Sequence, residues 1–228
     1  AKLGHTYAGN RGRIMAMVRA GAVDIHYDVY KNGDRTWIVF VHGAGGNAAS
    51  WWQQVPHFYE RFNIVTFDHR AFGRSRCSVE EFGVEHFASD LRAVLDSVGI
   101  ERAVLVCQSM GGRTGLSFAL ESQERVAALV MSHTIGGLTT DAIVAARESL
   151  DRPDPSRPFG SWAVALDFPE INVARSHLYN CITALNVDFE KIGRARLSGD
   201  TNSTIGPEAL EGFEVPTLFI TADKDMGV

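Results

Sequence analysis

The sequence predicts an α/β fold, with a mostly parallel sheet that carries helices on both of its faces. Short, continuous apolar runs recur along the chain, and segments with helical spacing lie between them. Continuous apolar strands are typical of parallel sheets, because helices cover both faces of each strand. Alternation of such strands with helices distinguishes this class from all-helical and all-β folds. The runs occupy residues 37–41, 63–67, 103–107, 126–131 and 217–220.

An antiparallel hairpin is predicted before the parallel strands. Residues 14–19 are apolar and rich in β-formers, and residues 24–30 alternate so that Ile25, Tyr27 and Val29 share one face. A period of two is typical of a half-buried strand. The clearest helix follows later, over residues 84–98, where apolar residues recur at helical spacing and Gly99 is expected to end the helix.

Composition excludes several classes of protein. The chain has 228 residues, of which 45% are hydrophobic and 21% are charged, and its 13 Phe, 5 Tyr and 4 Trp need a core to bury them. A net charge of −5 argues against a general nucleic-acid binder, and no apolar run is long enough to span a membrane. The three distant cysteines and the polar start, without a signal-peptide core, predict reduced thiols in a cytoplasmic protein.

A long insert interrupts the alternation of strands and helices. Between Gly136 and Gly212 we find no convincing strand, but a proline-rich break at residues 151–158 and helical patches at 140–150 and 171–185. Aromatic residues predict that this insert is an ordered lid; they are Phe159, Trp162, Phe168 and Tyr179. We therefore divide the chain into a core, residues 1–135 and 213–228, and a helical cap, residues 136–212.

Ser109 is the candidate nucleophile. It follows the apolar run 103–107 and precedes Gly111 and Gly112, as in a nucleophile elbow, where a strained strand-to-helix turn projects the serine hydroxyl from the sheet. Residues two positions away on either side must be small, and Cys107 stands where a glycine is usual. The alternative is a serine that only caps a helix. Two glycines in a first helical turn argue against that alternative, since glycine disfavours helices.

A glycine-rich loop, His42–Asn47, follows the first parallel strand. Such a loop can aim the backbone N–H of Ala44 at a developing oxyanion, with the N–H of Met110 as the second donor. The same residues also fit the dinucleotide pattern G-x-G-x-x-A, with Asp68 at the end of the next strand. A preceding hairpin and the bulky Trp51 argue against that oxidoreductase alternative.

Two acids are candidates for orienting a catalytic histidine. The last apolar strand runs into a short loop that contains Asp223 and Asp225. An orienting acid must lie at the carboxyl end of a strand, near the nucleophile. The local pattern alone leaves both acids open, together with the alternative that they are solvated turn residues.

The chain resembles the α/β-hydrolase superfamily, and within it the capped enol-lactonase and carboxylesterase branch. The matching segments are 42–46, 68–75, 107–112 and 215–225. Aligned on the family's last motif, Asp225 takes the acid position and Ala222 replaces a glycine, while residues 68–75 form a structural loop. The resemblance implies no metal or organic cofactor.

The family's catalytic histidine follows an eighth strand. The sequence ends at Val228, three residues after Asp225, so we expect a truncated hydrolase that lacks its last strand and helix. None of the eight histidines occupies the expected position; His133, at the end of a core strand, is the alternative base.

The resemblance implies a serine hydrolase that acts on small or medium carboxylic esters or lactones. Trp51, His133 and Trp162 are expected to line the substrate pocket, and neither nucleic acid nor membrane is an expected partner. Carbon–carbon bond hydrolases and cofactor-free haloperoxidases use the same catalytic groups and stay open. A non-catalytic homologue is the principal alternative from another class.

Overall fold

One mixed sheet of seven strands forms the centre of the computed structural model, which describes residues 12–149, 164–165, 167–193 and 204–222. The strands are β1 (Arg13–Ala20), β2 (Val23–Tyr30), β3 (Trp37–Val41), β4 (Asn63–Phe67), β5 (Ala103–Gln108), β6 (Val126–Ser132) and β7 (Thr217–Ile220). Their order across the sheet is β1-β2-β4-β3-β5-β6-β7.

Strand directions confirm the mostly parallel sheet. β1 and β2 form an antiparallel hairpin, in which Arg13 pairs with Tyr30, and β2 is also antiparallel to β4. Strands β4, β3, β5, β6 and β7 run parallel to one another. Their carboxyl ends therefore meet at one edge of the sheet, where α/β folds bind ligands. Within the described residues, β7 pairs with β6 alone, and all four of its residues are exposed.

Helices cover both faces of the sheet, as predicted. The α-helices are α1 (Gln54–Phe58), α2 (Phe87–Val98), α3 (Met110–Glu121), α4 (Asp141–Ser149), α5 (Phe168–Ile171) and α6 (Val173–Thr183). Helices α2 and α3 bury one face, with Leu91, Leu105 and Phe118 in the largest core cluster. A 3₁₀ turn (Ala48–Trp51) and α1 lie on the other face, which contributes Ile38 and Phe40 to a second cluster. As predicted, α2 ends at Gly99, whose left-handed φ of 77° lets its N–H bond the last carbonyls.

The described elements between β6 and β7 are helical. They comprise α4, α5, α6, a π-helical turn (Phe189–Gly193) and a 3₁₀ turn (Pro207–Leu210), besides an isolated bridge between Leu138 and Ile205. In that bridge the Ile205 N–H donates to the Gly137 carbonyl at 3.0 Å, so the two ends of the segment lie side by side. The division into core and cap stays a prediction. Among the described helices, none has both the length and the apolar character that crossing a bilayer requires.

Candidate active site

Ser109 lies at the junction of β5 and α3, at the carboxyl edge of the parallel strands. Its φ of 49° and ψ of −117° fall in a region that L-residues rarely adopt. Hydrogen bonds hold the turn on both sides: the Ser109 N–H donates to the Ser132 carbonyl at 3.0 Å, and the Gly112 N–H donates to the Ser109 carbonyl at 2.8 Å. This is the strained strand-to-helix turn that the sequence predicts for a nucleophile.

Two glycines are required because the nucleophile turn and the loop after β3 approach each other closely. A Cβ on Gly111 would lie under 3.0 Å from the carbonyl oxygens of Val41 and His42. A Cβ on Gly43 would lie 2.9 Å from the Ser109 Cβ. The loop after β3 therefore presses directly against the nucleophile turn.

Cys107 replaces the expected glycine because α3 makes room for its sulfur. The Cys107 side chain is fully buried, and burial raises the pKa of its thiol. A Cβ on Gly115 would lie under 3.0 Å from the Cys107 Sγ. The missing side chain of Gly115 on α3 therefore leaves the space that the Cys107 sulfur occupies.

Both predicted oxyanion donors lie at this edge of the sheet. Ala44 follows Gly43 in the loop after β3, and Met110 is the first residue of α3. Their side chains are half-buried and pack against the same cluster of buried aromatic residues. That these two N–H groups bind the oxyanion stays a prediction.

That aromatic cluster includes a residue from the predicted cap which sequence reasoning missed. Phe189 stacks on Phe72, with ring centroids 4.3 Å apart, and its N–H donates to the Ala71 carbonyl at 3.0 Å. Phe189 is 1% exposed, so the aromatic stack closes off one side of the Ala44–Met110 region. No local pattern marks Phe189, since its partners, Ala71 and Phe72, lie more than a hundred positions earlier in the chain.

A second missed residue, Asn186, binds two loops of the core, the one after β3 and the one after β4. Its side-chain oxygen accepts from the Gly73 N–H at 2.9 Å and from the Asn47 Nδ2 at 3.1 Å. Its Nδ2 donates to the Gly45 carbonyl at 2.8 Å. We call these hydrogen bonds the Asn186 clasp. A buried amide of this kind, bonded through both its oxygen and its nitrogen, fixes the segment after α6 against the glycine-rich loop.

Trp51, a predicted pocket residue, packs into the second core cluster. Its ring stacks on Phe40, with centroids 4.7 Å apart, inside the second core cluster. Trp51 also lines a cavity of about 540 Å³, together with Tyr30, Tyr59 and Arg74; Ser109 is not among the residues that line it. The indole therefore serves packing in this arrangement, and its contact with substrate stays a prediction.

His133 lies at the end of β6 but contacts other groups than Ser109. Its Nδ1 is 2.9 Å from the Ser132 Oγ, its N–H donates to the Ile220 carbonyl, and its φ is 52°. Among the described residues, no side chain hydrogen-bonds to the Ser109 Oγ. That His133 acts as the base, or lines the substrate pocket, stays a prediction. Asp223, Asp225, Phe159 and Trp162 lie outside the described residues.

Asp68 holds the loops at this edge together. Its carboxylate accepts the Ala48 N–H at 2.6 Å and the Arg74 N–H at 2.9 Å, and lies 3.3 Å from the His26 Nδ1. Burial alone would raise the Asp68 pKa, but these interactions outweigh burial and lower it. A buried carboxylate that already accepts two backbone N–H groups and lies beside His26 is poorly placed to bind a ribose, which argues against the dinucleotide alternative. Within the described residues, no cluster of acidic, cysteine or histidine side chains could hold a metal ion.

Comparison with known proteins supports the resemblance. A sequence model of the family described as the alpha/beta hydrolase fold matches residues 36–151. RutD of Caulobacter vibrioides, named as a putative carbamate hydrolase, is 34% identical over 121 residues, which are 51% of this chain and 45% of RutD. The 3-oxoadipate enol-lactonase 2 of Acinetobacter baylyi is 27% identical over 163 residues, 68% of this chain and 61% of the enzyme.

Solved structures show the same architecture. Est816, described as an N-acyl homoserine lactone degrading enzyme, superposes with a TM-score of 0.73 at 26% identity; the match covers 92% of this chain and 82% of Est816. The chain spans about half the length of the curated relatives that it matches.

Proposed function

Because this chain belongs to the family of the alpha/beta hydrolase fold, we propose that it is a serine hydrolase of small or medium carboxylic esters or lactones. The observation that carries the proposal is the positive-φ turn at Ser109, held at the carboxyl edge of the parallel strands. A fold keeps a serine in such a conformation where the exposed hydroxyl is used, since the strain costs about 1–3 kcal/mol.

In the proposed reaction, the Ser109 Oγ attacks the acyl carbon and the leaving group departs, which forms an acyl-enzyme. The N–H groups of Ala44 and Met110 stabilise the oxyanion, and the N-terminus of α3 favours the negative charge. A histidine accepts the serine proton and later activates water, and Asp225 orients that histidine. The resemblance implies a base that follows an eighth strand; His133 is the alternative.

The proposed substrate class rests on what the relatives have in common. The names of three relatives point to one kind of target, an acyl carbon bonded to a heteroatom. They are a lactone-degrading enzyme, an enol-lactonase and a protein named as a putative carbamate hydrolase. We propose that the cap, residues 136–212, covers the acyl group, with Trp162 and His133 in the pocket. The half-buried apolar side chains of Ala44 and Met110, which pack against the buried Phe72 and Phe189, favour an apolar acyl chain.

Covalent labelling with a fluorophosphonate, together with p-nitrophenyl acetate turnover, tests the nucleophile. Ser109→Ala should abolish both, since removal of a triad member costs about 10⁴-fold or more. Ser89→Ala is the matched control, because Ser89 is exposed on α2 and its hydroxyl bonds only the His86 carbonyl. Retention of more than about a hundredth of the wild-type rate in Ser109→Ala would exclude Ser109 as nucleophile. In protein that includes the catalytic histidine, a wild type that is neither labelled nor active would favour the non-catalytic homologue.

A further inference from the structure

Two buried histidines that the proposed reaction does not use form a hydrogen-bonded chain with a helix. His42 and His69 are both fully buried, and their rings meet edge-on with centroids 4.4 Å apart. The His42 Nδ1 lies 2.8 Å from the Gly43 carbonyl oxygen, and the His69 N–H donates to the His42 Nε2 at 3.0 Å. The His69 ring closes the chain, with Nδ1 3.1 Å from the His42 Nε2 and Nε2 2.8 Å from the Thr114 Oγ1.

The contacts decide where the protons are. A backbone N–H can only donate, so the His42 Nε2 accepts and its proton lies on Nδ1, which donates to the Gly43 carbonyl. Burial lowers the pKa of both histidines, so each ring is neutral and carries one proton. The His69 Nδ1 faces an acceptor and therefore holds its proton, which leaves its Nε2 to accept from the Thr114 hydroxyl.

This chain ends on the peptide group that contains the proposed oxyanion donor. The Gly43 carbonyl and the Ala44 N–H belong to one peptide unit, which is planar and trans, so the two groups point in opposite directions. The Gly46 N–H is a second donor to the same carbonyl, at 3.0 Å. Fixing the carbonyl thus fixes the direction of the Ala44 N–H, and two donors on the oxygen polarise the peptide and strengthen that N–H.

We propose that His69 and Thr114 are positioning residues for the reaction: the His69 backbone N–H sets the tautomer of His42, and Thr114 holds the His69 ring against His42, so that together they aim the Ala44 N–H at the reacting oxygen. This inference rests on the proposed function, in which Ala44 is an oxyanion donor. Thr114 lies on α3, the helix that begins at the other donor, Met110. One network of buried hydrogen bonds therefore ties the two halves of the proposed oxyanion site to each other.

Thr114→Val tests the proposal, because it removes the hydroxyl and keeps the shape; Thr114→Ser, which keeps a hydroxyl, is the matched control. For Thr114→Val we expect kcat on p-nitrophenyl acetate to fall about 10- to 100-fold with KM within about twofold, less than removal of an oxyanion donor costs. Thr114→Ser should stay within about threefold of wild type. Thr114→Ala serves as a second hydroxyl-free variant where the valine protein does not fold.

A spectroscopic measurement separates this proposal from the proposed function. In ¹⁵N-labelled protein, Thr114→Val should change the tautomer signals of His69 and shift the Ala44 amide resonance, whereas Thr114→Ser should change neither. Unchanged resonances in Thr114→Val, or equal kcat in the two variants of an active enzyme, would overturn the positioning role. In protein that includes the catalytic histidine, absence of turnover in the wild type would contradict the proposed function, and the Ala44 resonance would still decide on the positioning role.

Discussion

The contact between Cys107 and Gly115 provides a quantitative test of how the nucleophile turn is built. Gly115 is buried on α3, and an added Cβ would lie under 3.0 Å from the Cys107 Sγ and 3.1 Å from the Leu129 Cδ1. Alanine normally stabilises a helix interior by about 1 kcal/mol relative to glycine. Overpacking of a tight core costs about 1–3 kcal/mol, and the close approach to the Cys107 Sγ puts this site in the upper part of that range, about 2–3 kcal/mol. We therefore expect Gly115→Ala to lower the free energy of unfolding by about 1–2 kcal/mol in spite of its helix propensity.

Removal of the sulfur should reverse the sign of that effect. The Cys107 Cβ would lie 3.5 Å from a Cβ at residue 115, which is an ordinary contact, so alanine side chains at both positions can coexist. Cys107→Ala alone should cost about 1 kcal/mol for one lost buried heavy atom. In the double variant the gain in helix propensity offsets this loss, so its stability should lie within about 1 kcal/mol of wild type. The coupling between the two sites is then about 2–3 kcal/mol in magnitude.

Urea unfolding under reducing conditions, followed by far-UV circular dichroism, gives the four free energies of this cycle. Equal m-values across the four proteins are the control for an unchanged denatured state. A Gly115→Ala protein as stable as wild type would refute the reasoning. Effects of the two single changes that add to within about 0.5 kcal/mol would refute it as well, because they would show that residues 107 and 115 do not interact.

Three further predictions concern the clasp, the buried ion pair and the paired histidines. Asn186→Ala should cost about 2–4 kcal/mol, since each buried polar group left unpaired costs about 1–3 kcal/mol, and should speed limited proteolysis between residues 136 and 212. Asp90→Ala should cost about 3–5 kcal/mol in urea unfolding, because it leaves the buried Arg70 guanidinium, bound at 2.6 and 2.7 Å, without its carboxylate. Because the folded pKa values of His42 and His69 lie below 6.5, their contribution to stability is complete above that pH. It should fall below pH 6.5 by up to about 2.7 kcal/mol per pH unit, measured as urea unfolding from pH 7 to pH 5.

Matched variants supply the controls for these three experiments. Asn180→Ala, on an exposed position of α6, should leave the proteolysis rate unchanged. Asp96→Ala removes an exposed carboxylate of α2 and should cost under about 1 kcal/mol. His69→Gln should halve the slope of stability with pH. A cap cleaved no faster in Asn186→Ala, an Asp90→Ala protein of wild-type stability, or a slope that His69→Gln leaves intact would each contradict its prediction.

Much of the framework could be predicted from local sequence because local physics determines it. Continuous apolar runs predicted all five parallel strands, and a glycine after a periodic apolar face predicted the end of α2. The turn at Ser109 was predictable for the same reason, since the small residues that it requires on both sides lie within residues 107–111. The fold class followed from these elements and is confirmed.

What the sequence did not reveal depends on contacts between distant segments. The fit of Cys107 depends on Gly115, and the clasp joins Asn186 to residues more than a hundred positions earlier. The stacking of the Trp51 ring on Phe40 likewise joins separate segments, and the contact of Trp51 with substrate stays a prediction. His69 was taken for a loop residue, since no periodicity indicates that it faces another histidine.

Backbone strain is concentrated where the chemistry is proposed. Among the described residues, the three non-glycine residues with positive φ are Ala71, Ser109 and His133, and each follows the carboxyl end of a strand, β4, β5 and β6. At about 1–3 kcal/mol each, they use a sizeable part of the roughly 5–15 kcal/mol by which a typical domain is stable. Selection for heat resistance would therefore act first on this edge. A glycine in place of Ala71 would relieve backbone strain, because glycine adopts positive φ at no steric cost. A glycine in place of Ser109 would remove the nucleophilic hydroxyl. Stabilising substitutions are therefore compatible with the proposed activity beside the nucleophile but not at it.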